Sequence, residues 1–336
     1  MKKINVGVDI SKSTFWATIS HNNGNNEIKH LSNKEFNNTD KGFEMFIKWI
    51  NALIPKEVVI SFTMEATGVY YECLANYLYN NNYTVYVVLP HKSKFYLKSL
   101  DNKSKTDKID SKGLGQMGLE RKLRVWQPIY PIYKEIKSLT RERSGLVKHR
   151  TQQKNCLHAL LHSYDPNQER VARTKDMIEF LDLQIEKIEM ELKVLFKKEP
   201  ELNKNIRIIK TIPGVDNITV AIIISETNGF ALFENIKQLC SFAGLDVKLA
   251  ESGKWKGKSK ISKQGNNHIR AALYFPALTS IKYNSDHKAF YNRIKSNKKF
   301  SKVGITAVQR KLLILIYSIW KSQKEYQPKN QISEAA

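Results

Sequence analysis

The chain has 336 residues, with 55 Lys and Arg against 32 Asp and Glu, for a net charge of +23. That length suits about two or three domains, and an excess of this size implies a polyanion partner, because Lys and Arg that meet phosphates release condensed counterions. A membrane is not the expected partner: no run reaches the about 18 apolar residues of a spanning helix, and Lys2-Lys3 leads into a strand pattern rather than the apolar core of a signal peptide.

The first element is the alternating run Ile4-Asn5-Val6-Gly7-Val8-Asp9-Ile10, which reads as a strand. Asp9 interrupts it, although Asp fits a pleated, half-buried surface badly. Further strand-like runs lie near 14–20, 58–64 and 84–89, and helical runs near 41–53 and 69–80, an α/β pattern. Glu65 ends the run Val58 to Met64. Lys92 to Lys112 follows, rich in lysine with Phe95 and Tyr96 interleaved, and is expected to be a loop that contacts a nucleic acid strand. Asp107 and Asp110 have the spacing that places both on one face of a helix. Each acid has a plain alternative: Asp107 and Glu65 can simply favour helix N-termini, and Asp110 can be solvated beside Lys108 and Lys112. Taken together, Asp9, Glu65, Asp107 and Asp110 follow the order of a ribonuclease-H-like nuclease core. Such acids can converge on Mg²⁺, which takes oxygen ligands, and two such ions can clamp a phosphodiester.

The second segment, 128–200, reads as long helices. Leu139 and Leu146 are a heptad apart, and Asp165-Pro166-Asn167 marks a break. Beyond it, Ile178, Leu181, Ile185, Ile188, Leu192 and Leu195 form an a/d seam. An antiparallel hairpin is the simplest outcome; a dimerisation arm is the alternative. The first arm carries Lys134, Lys137, Arg141, Arg143, Lys148, Arg150 and Lys154, with Glu135 and Glu142 as its own acids, which favours phosphate contact over a merely solvated face.

After Pro200, Ile212-Pro213-Gly214-Val215 lies between two apolar runs and resembles a helix-hairpin-helix turn, whose backbone N–H groups can grip a phosphate. Asp216 stands where a second glycine is usual, so a packing role is the alternative. The stretch Glu251 to Asn266 mixes glycines, lysines, Trp255 and small hydroxyls, a composition suited to close approach to a nucleic acid backbone. From spacing alone, Ser252 is either part of a turn with Gly253 or a nucleophile, with no His/Asp pair nearby to make a hydrolase triad. His268 is the nearest base, at an expected helix start. Cys73, Cys156 and Cys240 are odd in number and far apart, so neither a disulfide framework nor a zinc site is expected, and the compartment is the reducing cytoplasm.

Several blocks then fall in one order: Gly7-Val8-Asp9-Ile10-Ser11-Lys12, Met64-Glu65-Ala66-Thr67-Gly68, Lys105-Thr106-Asp107-Lys108-Ile109-Asp110, Ile212-Pro213-Gly214, Phe242-Ala243-Gly244-Leu245, Ser252-Gly253, Ile261-Ser262-Lys263-Gln264-Gly265-Asn266, Ala272 to Leu278 and Arg310-Lys311-Leu312-Leu313. Over nearly the whole chain this resembles the transposases of insertion sequence family 110, relatives of the Piv/MooV DNA invertases and described as bridge-RNA-guided recombinases. The resemblance implies a RuvC-like domain over 1–127, a helical coiled-coil linker over 128–200 and a mainly α transposase domain over 201–325, followed by a flexible tail over 326–336. It implies that Asp9, Glu65, Asp107 and Asp110 hold Mg²⁺, or Mn²⁺, and that Ser252 is a serine nucleophile. It further implies donor and target DNA, a guide RNA and a homo-oligomer, dimer or tetramer, in a bacterial cytoplasm beside the nucleoid. Since the acids and Ser252 lie in different segments, a composite site is expected, between protomers. The competing expectations are a RuvC-like nuclease that uses water, which needs the acids but not Ser252, and a binding protein with a degenerate nuclease fold.

Overall fold

The computed structural model describes residues 3–23, 27–55, 57–101, 104–248, 251–252, 255–257, 260–296 and 300–328. They form two compact units, one up to Pro128 and one from Ile129 onward.

The first unit is built on a mixed sheet of β1 (Ile4–Ile10), β2 (Thr14–Asn22), β3 (Ile28–Asn37), β4 (Ile60–Glu65) and β5 (Thr84–Val88). Its order is β3-β2-β1-β4-β5, with β2 antiparallel to β1 and β3, and β4 parallel to β1 and β5. This is the mixed α/β core expected of the ribonuclease-H-like class. One face of the sheet is aromatic. Helix α1 (Asp40–Leu53) buries Phe43, Phe46 and Ile50, and Phe46 meets Phe15 and Phe62 edge-on at 5.2 and 5.8 Å. Helix α2 (Tyr71–Asn80) adds Leu74, Ala75 and Leu78 to the same core.

The other face is small and polar. Asn5, Thr18, Ser20 and Thr63 are all buried. After the short helix α3 (Pro90–Lys98), helix α4 (Asp107–Glu120) lies across β1, β2 and β4 on this face. Close approach depends on glycine. A Cβ at Gly7 would come within 2.0 Å of Ser111 O and 2.1 Å of Gly115 N, and one at Gly118 within 2.3 Å of both Asn5 Nδ2 and Thr63 Oγ1. Thr18 and Ser111 join their hydroxyls across the contact at 2.7 Å.

The second unit opens with α5 (Pro131–Leu161) and α6 (Gln168–Lys198), an antiparallel hairpin closed by the expected break. The a/d seam is real: Ile178, Leu181, Ile185, Ile188, Leu192 and Leu195 are all buried. Next come α7 (Pro200–Ile209), α8 (Asn217–Glu226) and α9 (Ile236–Phe242). Four two-residue strands follow, β6 (Val247–Lys248), β7 (Glu251–Ser252), β8 (Trp255–Lys256) and β9 (Lys260–Ile261). The chain then returns to helix in α10 (Asn267–Ala272), α11 (Tyr274–Tyr283), α12 (Ser285–Ser296) and α13 (Ser301–Ser322). By length and composition α13 is apolar enough to cross a membrane, but it lays Val308, Leu312, Leu313 and Ile316 into the core of this unit. Of the expected tail, 329–336 lies outside the described residues. Tyr326, its first residue, is anchored: its hydroxyl accepts from Asn284 Nδ2 at 2.6 Å and its N–H donates to Thr211 at 2.9 Å.

Candidate active site

Asp9 and Glu65 close the carboxyl ends of two adjacent parallel strands. The β1–β4 register runs from Ile4↔Ile60 to Val8↔Met64, and Asp9 and Glu65 are the residues that follow its last pair. Both belong to the face that α4 covers, since Gly7 and Thr63, two residues earlier, touch that helix. From Gly7 to Asp9 the strand advances about 6.6 Å, and from Ser111 back to Asp107 the helix advances about 6 Å. The first turn of α4 therefore arrives level with Asp9. Thr106 caps it, accepting from Ile109 N at 3.2 Å, and holds Asp107 and Asp110 in that turn.

The electrostatics follow from this convergence. The Asp9 carboxyl is pushed up to about 7, by burial first and then by Asp107, Asp110 and Glu65, against Lys105. Asp110 is also raised, chiefly by burial, with Lys105 opposing and Asp107 and Glu65 adding to the rise. Asp107 is exposed and the other three are half-buried. Among the described residues, no group of three or more Asp, Glu, His or Cys side chains is gathered closely enough to hold an ion outright. The donor set nonetheless fits a hard divalent cation: it is made of carboxylate oxygens alone, and their mutual repulsion is what such a charge relieves.

Glu65 has partners that the sequence did not reveal. Ser93 Oγ donates to its Oε2 at 2.6 Å, and Thr67 Oγ1 to its Oε1 at 3.1 Å. Ser93 lies in the lysine-rich stretch read as a loop. Residues 90–98 are instead helix, begun by Pro90 at a position where its missing N–H costs nothing. That proline was the signal that a helix start stood there.

Ser252 sits in the second unit on β7, paired with Trp255 on β8, and is exposed. Gly253, Lys254 and Ser259 of the same stretch lie outside the described residues. The base of this excursion is tied down. Strand β6 pairs with β9, Ser262 donates to Asp246, and Arg270 Nη1 reaches the carbonyls of Ala243, Gly265 and Asn266. Asn266 caps α10 with its Oδ1 while its Nδ2 donates to Glu226 at 2.7 Å.

The cations of α5 are largely engaged within the protein, which revises their reading as a phosphate-contacting face. Arg141 grips the buried Glu226 through Nε and Nη2 at 2.8 and 3.1 Å, with Lys137 at 3.6 Å. Arg143 pairs with Glu189 at 2.7 Å and Arg150 with Asp182 at 2.5 Å. The turn between α7 and α8 likewise favours packing over phosphate binding. Asp216 caps α8 with its own carboxylate, accepting from Thr219 N at 2.7 Å, and Gly214, at φ 88°, is pressed against Thr279 and Pro276. His268 lines a cavity of about 450 Å³ with Arg141, Arg143, Glu226 and Phe275.

Residues 6–166 match the DEDD transposases of the IS110 type, and residues 206–292 match the transposase IS116/IS110/IS902 family. The pilin gene-inverting proteins of Moraxella bovis and Moraxella lacunata are each 30% identical to the chain over 333 residues, 97% of this chain and 98% of theirs. The transposase for insertion sequence element IS1111A of Coxiella burnetii is 24% identical over 270 residues, 71% of this chain and 72% of its own. Among solved structures, T. thermophilus RuvC in complex with a Holliday junction substrate aligns over 37% of this chain and 99% of its own, at 7% identity and a TM-score of 0.29. Fowlpox virus resolvase in complex with Holliday junction DNA aligns over 34% and 98%, at 18% identity and a TM-score of 0.25.

Proposed function

The chain belongs to the IS116/IS110/IS902 family of transposases, and from that premise we propose that it cuts and rejoins DNA through a covalent phosphoserine at Ser252, at sites chosen by a bridge RNA. It acts as a dimer or tetramer on donor and target DNA in the cytoplasm. In the cutting step the Ser252 hydroxyl gives up its proton, its Oγ bonds to phosphorus, and the bond from phosphorus to the 3′ oxygen breaks. The 3′ oxygen leaves as a hydroxyl, and the 5′ phosphate stays on the serine. Rejoining is the reverse: a 3′ hydroxyl from the other DNA attacks the phosphoserine and Ser252 recovers its proton. The ester bond is kept throughout, so no ATP is needed.

Asp9, Glu65, Asp107 and Asp110 would hold Mg²⁺ or Mn²⁺. When bound, the ion supplies positive charge against the charge that builds on the phosphate. The chain's own contribution is to bring four carboxylates to one end of the sheet and keep them there. β1 and β4 fix Asp9 and Glu65, and the glycine-mediated seat of α4 fixes Asp107 and Asp110. The observation that best supports this reading is the Asp9 carboxyl, pushed to about 7 by burial and by the other three acids.

The experiment is cleavage of DNA carrying the element's ends, with the element's own RNA and divalent ion present. Asp9→Asn, Glu65→Gln, Asp107→Asn and Asp110→Asn should each abolish cleavage while RNA binding remains. Cleavage at the wild-type rate by any of the four would remove that acid from the site. Equal affinity for the element's RNA and for any RNA of the same length would count against guiding.

A further inference from the structure

We propose that Ser93 and Thr67 are positioning residues, whose hydroxyls fix the orientation of the Glu65 carboxylate toward the divalent ion, a proposal that rests on the reading of Glu65 as an ion-holding acid. Glutamate is a loose ligand by nature. Its last torsion is broad, so a half-buried carboxylate can turn through many orientations. Here both oxygens are already engaged, Oε2 by Ser93 and Oε1 by Thr67, at 2.6 and 3.1 Å.

Satisfying Ser93 itself does not require this arrangement. Ser93 is fully buried, so its hydroxyl needs an acceptor. Two backbone carbonyls are within reach, Pro90 O at 3.0 Å and Leu89 O at 3.4 Å. A hydroxyl has a single proton. The shorter bond to a carboxylate is the stronger one, so that proton goes to Glu65. Each carboxylate oxygen keeps a second lone pair for another partner.

The scaffold sets this distance. Ala66 N donates to Val88 O at 2.9 Å, which ties the end of β4 to the end of β5. Two residues past β5, Pro90 starts α3, and the first turn of that helix delivers Ser93 to Glu65. Partners of this kind, which orient a metal-holding carboxylate without touching the metal, typically account for about 10–100-fold in metal affinity.

The test is direct titration of the full-length protein with Mn²⁺ by calorimetry, alongside the unfolding midpoint of the metal-free protein. Ser93→Ala should weaken Mn²⁺ binding about tenfold, and Thr67→Val should weaken it less. Thr67→Ser, which keeps the hydroxyl, should restore wild-type affinity, and Glu65→Gln should bind most weakly. The unfolding midpoints of metal-free Ser93→Ala and Thr67→Val should stay near that of the wild type, as a purely structural role for the hydroxyls would not allow. If Ser93→Ala and Thr67→Val both bind Mn²⁺ as the wild type does while Glu65→Gln binds weakly, the positioning role is overturned and Glu65 keeps its own. If Glu65→Gln also binds as the wild type does, both fall together.

Discussion

Asp9 and Glu65 are the residues that directly follow Val8 and Met64, the last pair of the parallel β1–β4 ladder, at the carboxyl ends of the two strands. Open α/β sheets put their ligand sites just beyond the carboxyl ends of the strands, and here that place is occupied by acids. With Asp107 and Asp110 arriving from α4, the protein keeps four like charges at one end of a sheet, at a cost to its metal-free state.

That cost has a pH dependence. The Asp9 carboxyl moves from an ordinary value of 3.8 to about 7, by burial first and then by Asp107, Asp110 and Glu65. The folded state therefore holds a proton that the unfolded state has lost between those two values, and stability falls as pH rises through that window. The metal-free wild type should melt lower at pH 8 than at pH 5, and Asp9→Asn should flatten the difference. A divalent ion competes with that proton, so Mg²⁺ should raise the wild-type melting temperature more at pH 8 than at pH 6. Differential scanning fluorimetry across this range checks both.

Gly7→Ala should be severe. The new methyl would meet two backbone atoms of α4, Ser111 O at 2.0 Å and Gly115 N at 2.1 Å, neither of which can swing aside. Overpacking of this kind costs about 3 kcal/mol, and it lifts Asp107 and Asp110 away from Asp9. Urea denaturation should show the loss, and Mn²⁺ affinity should fall with it.

Glu226 anchors the second unit. Burial raises its carboxyl, but Arg141, Lys137 and Asn266 outweigh that and hold it below the usual range. Glu226→Gln leaves the two cations without their counter-charge and should cost about 3 kcal/mol. Because the folded value is depressed, the stabilisation is present above the ordinary value of 4.5 and is lost as pH falls below it. The gap in unfolding free energy between wild type and Glu226→Gln should therefore narrow in acid, which urea titrations at pH 7 and pH 3 would measure.

Much of this was legible in the sequence where a residue contradicted its surroundings or a period repeated. Asp9 stood out as an acid in an apolar strand, and the seam from Ile178 to Leu195 announced the hairpin. Strand β3 was hidden because it is polar, with Phe36 its one buried residue; the start of α4 was legible from the spacing of Asp107 and Asp110, but its close seat on the sheet through Gly115 and Gly118 was not. Pairing across helices left no local trace. Arg143 and Glu189 are 46 residues apart, so the cations of α5 read as a free basic face. Ser93 was masked by the lysines around it, since a fully buried hydroxyl looks no different in sequence from a solvated one.

The covalent bond between DNA and Ser252 is the step that defines the proposed reaction. The most direct measurement uses a nicked duplex from the element's end, incubated with wild type or Ser252→Ala, the element's RNA and Mg²⁺. The products are separated under denaturing conditions, and the modified peptide is identified by mass spectrometry. A covalent protein–DNA adduct should form with the wild type, map to Ser252 and be absent from Ser252→Ala. Adduct in equal yield from Ser252→Ala, or cleavage by both proteins to free DNA ends, would contradict the phosphoserine and leave a nuclease that uses water.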